Sequence, residues 1–209
     1  MWEHQRRTEV RNWAPWLAAL GLAAMLGACS SVNRGEQACL NALSKRGIVY
    51  EKVADWGTSK GCGVAWAVKV SRSATSWNNP ATMSCPLALK IWDFETKVVG
   101  PAAREIFNKP VSQMYNYGSY ACRNTIGTRV ARLSEHAKGR AFDVGEFQLS
   151  DGSRISISKD WKDSGPKGRF LRRIAKEACS VFPVVLSPNY NKAHKDHLHL
   201  DLSSRLCGV

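Results

Sequence analysis

The sequence has no Cys-x-x-Cys pair, no internal repeat, no low-complexity tract and no apolar run of twenty residues. Without closely spaced cysteines, a thiolate zinc knuckle or a redox dithiol has little support. The missing repeats exclude collagen and coiled coil, and the missing runs exclude a polytopic membrane protein. Acidic residues are also scarce, with 17 Asp and Glu against 30 Lys and Arg, a formal charge of +13 over 209 residues. That excess suits nucleic acid, an anionic membrane face or an anionic cell-wall polymer, and the total alone does not choose among them. What is present suffices for a core: 44% of residues are hydrophobic, with 8 Trp, 6 Phe and 5 Tyr. The length suits one domain plus appendages.

The first residues give the chain an address. Arg6, Arg7 and Arg11 precede an uncharged apolar stretch from Trp13 to Gly27, the layout of a secretory signal and too short for a bilayer core. It ends Leu26-Gly27-Ala28-Cys29-Ser30, which resembles a bacterial lipobox, in which Cys29 is acylated and becomes the mature N-terminus. An ordinary signal peptide with an incidental cysteine is the plainer reading of the same stretch. The lipobox reading gives a signal peptide over 1–28, a lipidated tether over 29–37 and a domain over 38–209, at the periplasmic face of an outer membrane. Residues 1–28 contain three Arg and two Glu, so the exported part keeps +12.

With Cys29 assigned to lipid, Cys39, Cys62, Cys85, Cys122, Cys179 and Cys207 remain. An even count in an oxidising compartment reads as disulfides. Pairing in chain order is the expectation: Cys39 with Cys62, Cys85 with Cys122, Cys179 with Cys207.

Hydrophobic periodicity predicts a mixed chain. Helices are expected over 38–46, over 85–99 with Pro86 in the first turn, and over 168–182. Strands are expected over 48–53, 61–70, 118–123, 129–133, 181–186 and 197–202, and a hairpin over 140–158 turns at Ser150-Asp151-Gly152-Ser153. The sum is a single α+β domain with a small antiparallel sheet flanked by helices and stapled by disulfides.

Four of the five histidines fall in two polar clusters, 134–143 and 194–201. On a strand, His197, His199 and Asp201 share one face while Leu198, Leu200 and Leu202 share the other. Imidazole and carboxylate are good zinc ligands, and three protein ligands with one open position make a catalytic rather than a structural site. His136, Asp143 and one member of the His197/His199 pair could supply that set. The other histidine could then take a proton from water.

The pattern Ser134-x-His136-x-x-Gly139-x-Ala141-x-Asp143, followed by His197-x-His199, resembles the signature of zinc D-Ala-D-Ala peptidases and murein endopeptidases. Gly118-Ser119-Tyr120-Ala121-Cys122-Arg123, Ser134-Glu135-His136-Ala137 and His194-x-Asp196-His197-Leu198-His199-Leu200-Asp201 more closely resemble bacterial extensin-like C-terminal domain proteins. The resemblance spans about residues 37–209. It implies Zn2+ on His136, Asp143 and His199, with His197 as the non-ligand histidine and His194 as a further active-site histidine. Arg123 matches an arginine that holds the substrate carbonyl. No Glu stands at the base position of the carboxypeptidase branch, which the endopeptidase branch also lacks. The function implied is hydrolysis of peptide bonds in peptidoglycan. The alternatives are a non-catalytic peptidoglycan-binding lipoprotein and a D-Ala-D-Ala carboxypeptidase. Nucleic acid is not an expected partner, because no finger spacing, Gly-rich RNA motif or basic helix stripe accompanies the charge. Asp201 is a candidate partner for a ligand imidazole, and Glu135 is expected to orient or cap.

Overall fold

The computed structural model describes residues 34–126 and 132–209. The signal segment, Cys29 and most of the proposed tether lie outside the described residues, as does the strand expected over 129–133 up to residue 131. Among the described residues no helix is long and apolar enough to cross a membrane. By contacts the chain divides into 1–38 and 39–209. The first is described only over 34–38, which are helical, and helix α1 covers 34–45 rather than beginning at Ala38.

The second unit is α+β. Its main sheet has nine strands in the order β1-β4-β5-β6-β7-β10-β9-β11, with β8 also paired to β7. The strands are β1 (Val49–Lys52), β4 (Ala67–Arg72), β5 (Ser76–Ser84), β6 (Val111–Gly118), β7 (Ala141–Leu149), β8 (Arg154–Ser156), β9 (Val184–Leu186), β10 (Leu198–Asp201) and β11 (Leu206–Gly208). β2 (Trp56–Gly57) and β3 (Gly63–Val64) form a separate ribbon. Two pairings are parallel, β5 with β6 and β9 with β11, so the sheet is larger and less uniformly antiparallel than expected. β7 is long enough to hold β10 along its first half and β8 along its second, with β6 on its other edge.

Helices α2 (Cys85–Phe94), α3 (Gly100–Phe107), α4 (Ile157–Asp160) and α5 (Pro166–Ala178) supply the other half of the core. Phe94, Phe142, Phe147, Phe170 and Phe182 are fully buried in it, and Leu198 and Leu200 enter it from the sheet as the alternation required. The helix expected to stop at Val99 continues to Phe107 through a π-helical turn, Glu95–Val99. Pro101 has no N–H and would clash with the carbonyl four residues earlier in a regular helix; the wider turn absorbs it. Within that turn, buried Glu95 accepts from Ala74 N, Thr75 Oγ1 and Trp77 Nε1 at 2.7–3.0 Å, tying helix to sheet.

Three disulfides join all six remaining cysteines. Cys179–Cys207 forms as expected, but the other two interlock, Cys39 with Cys85 and Cys62 with Cys122. Chain-order pairing fails because sheet order rather than sequence order sets neighbourhood. Cys85 opens α2 and sits against α1, while Cys62, in the β2–β3 ribbon, meets the loop after β6. The strand expected over 61–70 is broken at Trp66, whose φ is +52°, and the one expected over 118–123 is instead β6, ending where that segment begins.

Candidate metal centre

Three elements carry the centre. β7 provides Asp143, β10 provides His199 directly opposite it, and a 3-10 turn, Glu135–Lys138, provides His136. Ser134 opens that turn, its Oγ accepting from His136 N, and Gly139 closes it in the left-handed region. The donors converge: His136 Nε2 lies 3.1 Å from His199 Nδ1 and 3.2 Å from Asp143 Oδ2, and His199 Nδ1 lies 3.0 Å from Asp143 Oδ1. These three residues form a buried group whose ligand atoms all lie within 4.8 Å of one another, and they could hold a metal ion.

The outer nitrogens decide what the inner ones present. His136 Nδ1 is 2.5 Å from the Ser119 carbonyl oxygen, and His199 Nε2 is 2.8 Å from Asp201 Oδ2. Each of those acceptors requires an N–H, so each imidazole turns its lone pair inward toward the carboxylate of Asp143. Inward lone pairs facing a carboxylate call for a cation between them. In the metal-free protein that cation is a proton: burial opposes charge on His199, but hydrogen bonds to Asp143 and Asp201, and their charges, raise its pKa to about 9. Burial likewise resists ionisation of Asp143, yet its hydrogen bonds to the two histidines hold it well below the usual carboxylate range.

His197 stands beside this group with its Nε2 3.8 Å from Asp143 Oδ1, and its Nδ1 hydrogen-bonds Asp196 Oδ1 at 2.9 Å. His194, in a 3-10 turn, is half-buried with its ring 5.3 Å from that of His197 and 5.7 Å from that of His199. Burial, followed by the charges of His199 and His197, lowers its pKa to about 4, so it is neutral at physiological pH. Arg123 is exposed, its Nη1 3.5 Å from the Asn124 carbonyl, and its charge adds to the lowering at His194. Cys122 anchors it to Cys62 in the β2–β3 ribbon and not to α2. Glu135 does not join the donor group; it pairs with Lys138 at 3.1 Å and Arg140 at 3.3 Å.

Three contributors were not singled out from sequence as part of the centre. Ser119 acts through its backbone carbonyl. Tyr117 occupies an irregularity in the β6–β7 register and is 60% exposed, with its ring 6.0 Å from His197. It lies over Gly145, where a Cβ would meet its hydroxyl at 2.4 Å. Tyr190, 47% exposed, stands 5.9 Å from His194. A bulge that aims a side chain beside a site leaves no mark in hydrophobic periodicity. The only available signal was the Tyr-Gly step ahead of Ser119.

Compared with known proteins, residues 37–208 match the family model described as extensin-like protein C-terminus. No curated protein and no solved structure matches the chain.

Proposed function

The chain belongs to the extensin-like C-terminal family, and from that premise we propose that it is a zinc-dependent hydrolase of peptide bonds in peptidoglycan stems or crosslinks. The observation that carries the reading is the group His136, Asp143 and His199 with a third histidine, His197, standing next to it as a non-ligand. Two imidazoles and one carboxylate, with both outer N–H groups fixed, suit zinc and leave a coordination position for substrate or water. A bound zinc ion supplies Lewis acidity and makes water a nucleophile near neutral pH.

The side chains do the rest. His197, oriented through Nδ1 by Asp196, takes a proton on Nε2 and returns it to the leaving amine. His194, neutral and beside it, donates through Nδ1 to Asn191 Oδ1, which leaves Nε2 able to accept a hydrogen bond from substrate without competing as a cation. Arg123 approaches from the exposed side and stabilises charge on the substrate carbonyl oxygen. The signal-like first residues, the lipobox-like position of Cys29 and the surplus of basic residues support the reading of an exported lipoprotein facing an anionic wall from the outer membrane.

The test is incubation of the purified domain, with one zinc equivalent, on isolated sacculi, followed by mass spectrometry of soluble muropeptides. New peptide termini are expected, and His197→Ala and His199→Ala should each reduce their rate at least about 100-fold. Binding to sacculi with an unchanged muropeptide profile would replace the reading with a non-catalytic wall binder.

A further inference from the structure

A concavity is lined in part by Lys138, the last residue of the turn that carries His136. It has a volume of about 630 Å³ and is lined by Trp56, Trp66, Pro86 and Leu202 together with Ser84, Lys138 and Arg140. None of the candidate metal ligands takes part. Its polar residues have the marks of an anion site. Ser84 is the N-cap of α2, but its side chain makes no capping hydrogen bond, and the first turn holds no acidic residue to offset the positive end of the helix. Ser84 is only 7% exposed, and its Oγ has no hydrogen-bond partner among the described residues. That orphaned hydroxyl, closed off from solvent as it stands, would turn about its Cα–Cβ bond to donate to an anion at the helix N-terminus. Lys138 and Arg140 share the single carboxylate of Glu135, which leaves one positive charge uncompensated.

The same lining presents two indoles, both part-exposed. Trp66 is held at φ +52°, a region costly for a bulky side chain. The conformation is fixed from three directions: Asp55 accepts from Trp66 N at 2.7 Å and from Ala67 N at 2.9 Å, and the Trp66 carbonyl accepts from Cys85 N at 2.9 Å. Gly57, Gly61 and Gly63 leave parts of the lining without side chains, among Thr58, Cys62 and Ala65. Indoles beside stretches of bare backbone suit a flat ring edged with C–H groups, and Ser84, Lys138 and Arg140 suit one carboxylate carried by that ring.

We propose that this cavity binds an acidic pyranose, its ring against Trp56 and Trp66 and its carboxylate at Ser84, Lys138 and Arg140. The proposal rests on the peptidoglycan reading for its source: the ligand is a muramyl residue whose lactyl carboxylate is free, as in glycan from which stem peptides have been removed. The protein would then hold stripped glycan while its metal centre faces neighbouring stems.

The experiment is calorimetric titration of the zinc-loaded protein with N-acetylmuramic acid, N-acetylglucosamine and the dipeptide Ala-Ala. The expected result is that the acidic sugar binds at least tenfold more tightly than either comparison ligand. Trp56→Ala and Lys138→Gln should each weaken it about tenfold, as should Ser84→Ala, with unchanged circular dichroism, while His199→Ala leaves it unaltered. Equal binding of the neutral sugar, equal binding of the dipeptide, or variants that bind like the parent would each overturn the proposal, as would no binding at millimolar concentration. The His199→Ala arm separates the two readings, because sugar binding can survive a failure of hydrolysis and hydrolysis can survive a failure of sugar binding.

Discussion

Replacing Asp201 with Asn keeps an acceptor for His199 Nε2–H but removes the charge that makes the imidazole a strong donor. Metal affinity should fall 10- to 100-fold while the fold is retained, as measured by competition with a chromogenic chelator. The protonation of His199 has two further consequences. Its folded pKa of about 9 exceeds the ordinary 6.5, so the stabilisation it provides is complete below pH 6.5 and is lost as pH rises through 9. Metal must displace that proton, so affinity should rise about tenfold per unit over the same window and level off above it. Thermal melts from pH 6 to 9.5 should therefore show the chelator-treated protein weakening and the increment given by zinc growing; a flat increment would contradict the assignment. At this scale the sequence was informative about the donors: alternation put His199 and Asp201 on one strand face, and the family resemblance chose His199 over His197, which precedes β10. It was silent on Tyr117, Tyr190 and the Ser119 carbonyl, whose positions depend on a strand irregularity and on a neighbouring loop.

The turn Glu135–Lys138 carries both His136 of the donor group and Lys138 of the cavity lining, and Gly139 sets its exit. Gly139 has φ +59°, and a Cβ there would meet Val64 at 2.8 Å and the Met83 backbone at 3.3 Å. Its N–H also closes onto the His136 carbonyl, and its carbonyl accepts from Ser84 N. Gly139→Ala should therefore destabilise by about 2–3 kcal/mol, from left-handed strain plus overpacking, and should loosen metal binding as well. Urea denaturation with an unchanged m-value reads the first effect and chelator competition the second. Elements with strong periodicity were legible: β1, β7, β8, β10, α2 and α5 lie close to their expected places. β6 was missed because its sequence, VSQMYNYG, buries little beyond Met114 and Asn116. β11 has three residues and owes its place to parallel pairing with β9. The π turn was illegible because its cause, Pro101, reads from sequence as a stop.

For the molecule as a whole, the even cysteine count and the Cys179–Cys207 pair were legible and the other two pairs were not, since their connectivity follows the sheet's strand order. Reduction should remove about 2–5 kcal/mol per bridge, with Cys62→Ser also freeing the loop that carries Arg123, seen as a lower melting temperature under reductant. The interlocked arrangement of Cys39–Cys85 and Cys62–Cys122 has a consequence for how the chain matures. A chain threaded N-terminus first into an oxidising space offers Cys39 and Cys62 to each other before Cys85 has emerged, so the earliest available bond is a wrong one. Oxidation without free thiol should trap a Cys39–Cys62 species, detectable by peptide mapping, and a glutathione redox couple should rescue it. Under the proposed export, maturation thus calls for a shuffling catalyst and not merely an oxidant, which ties the yield of correctly bridged protein to the isomerase capacity of the receiving compartment.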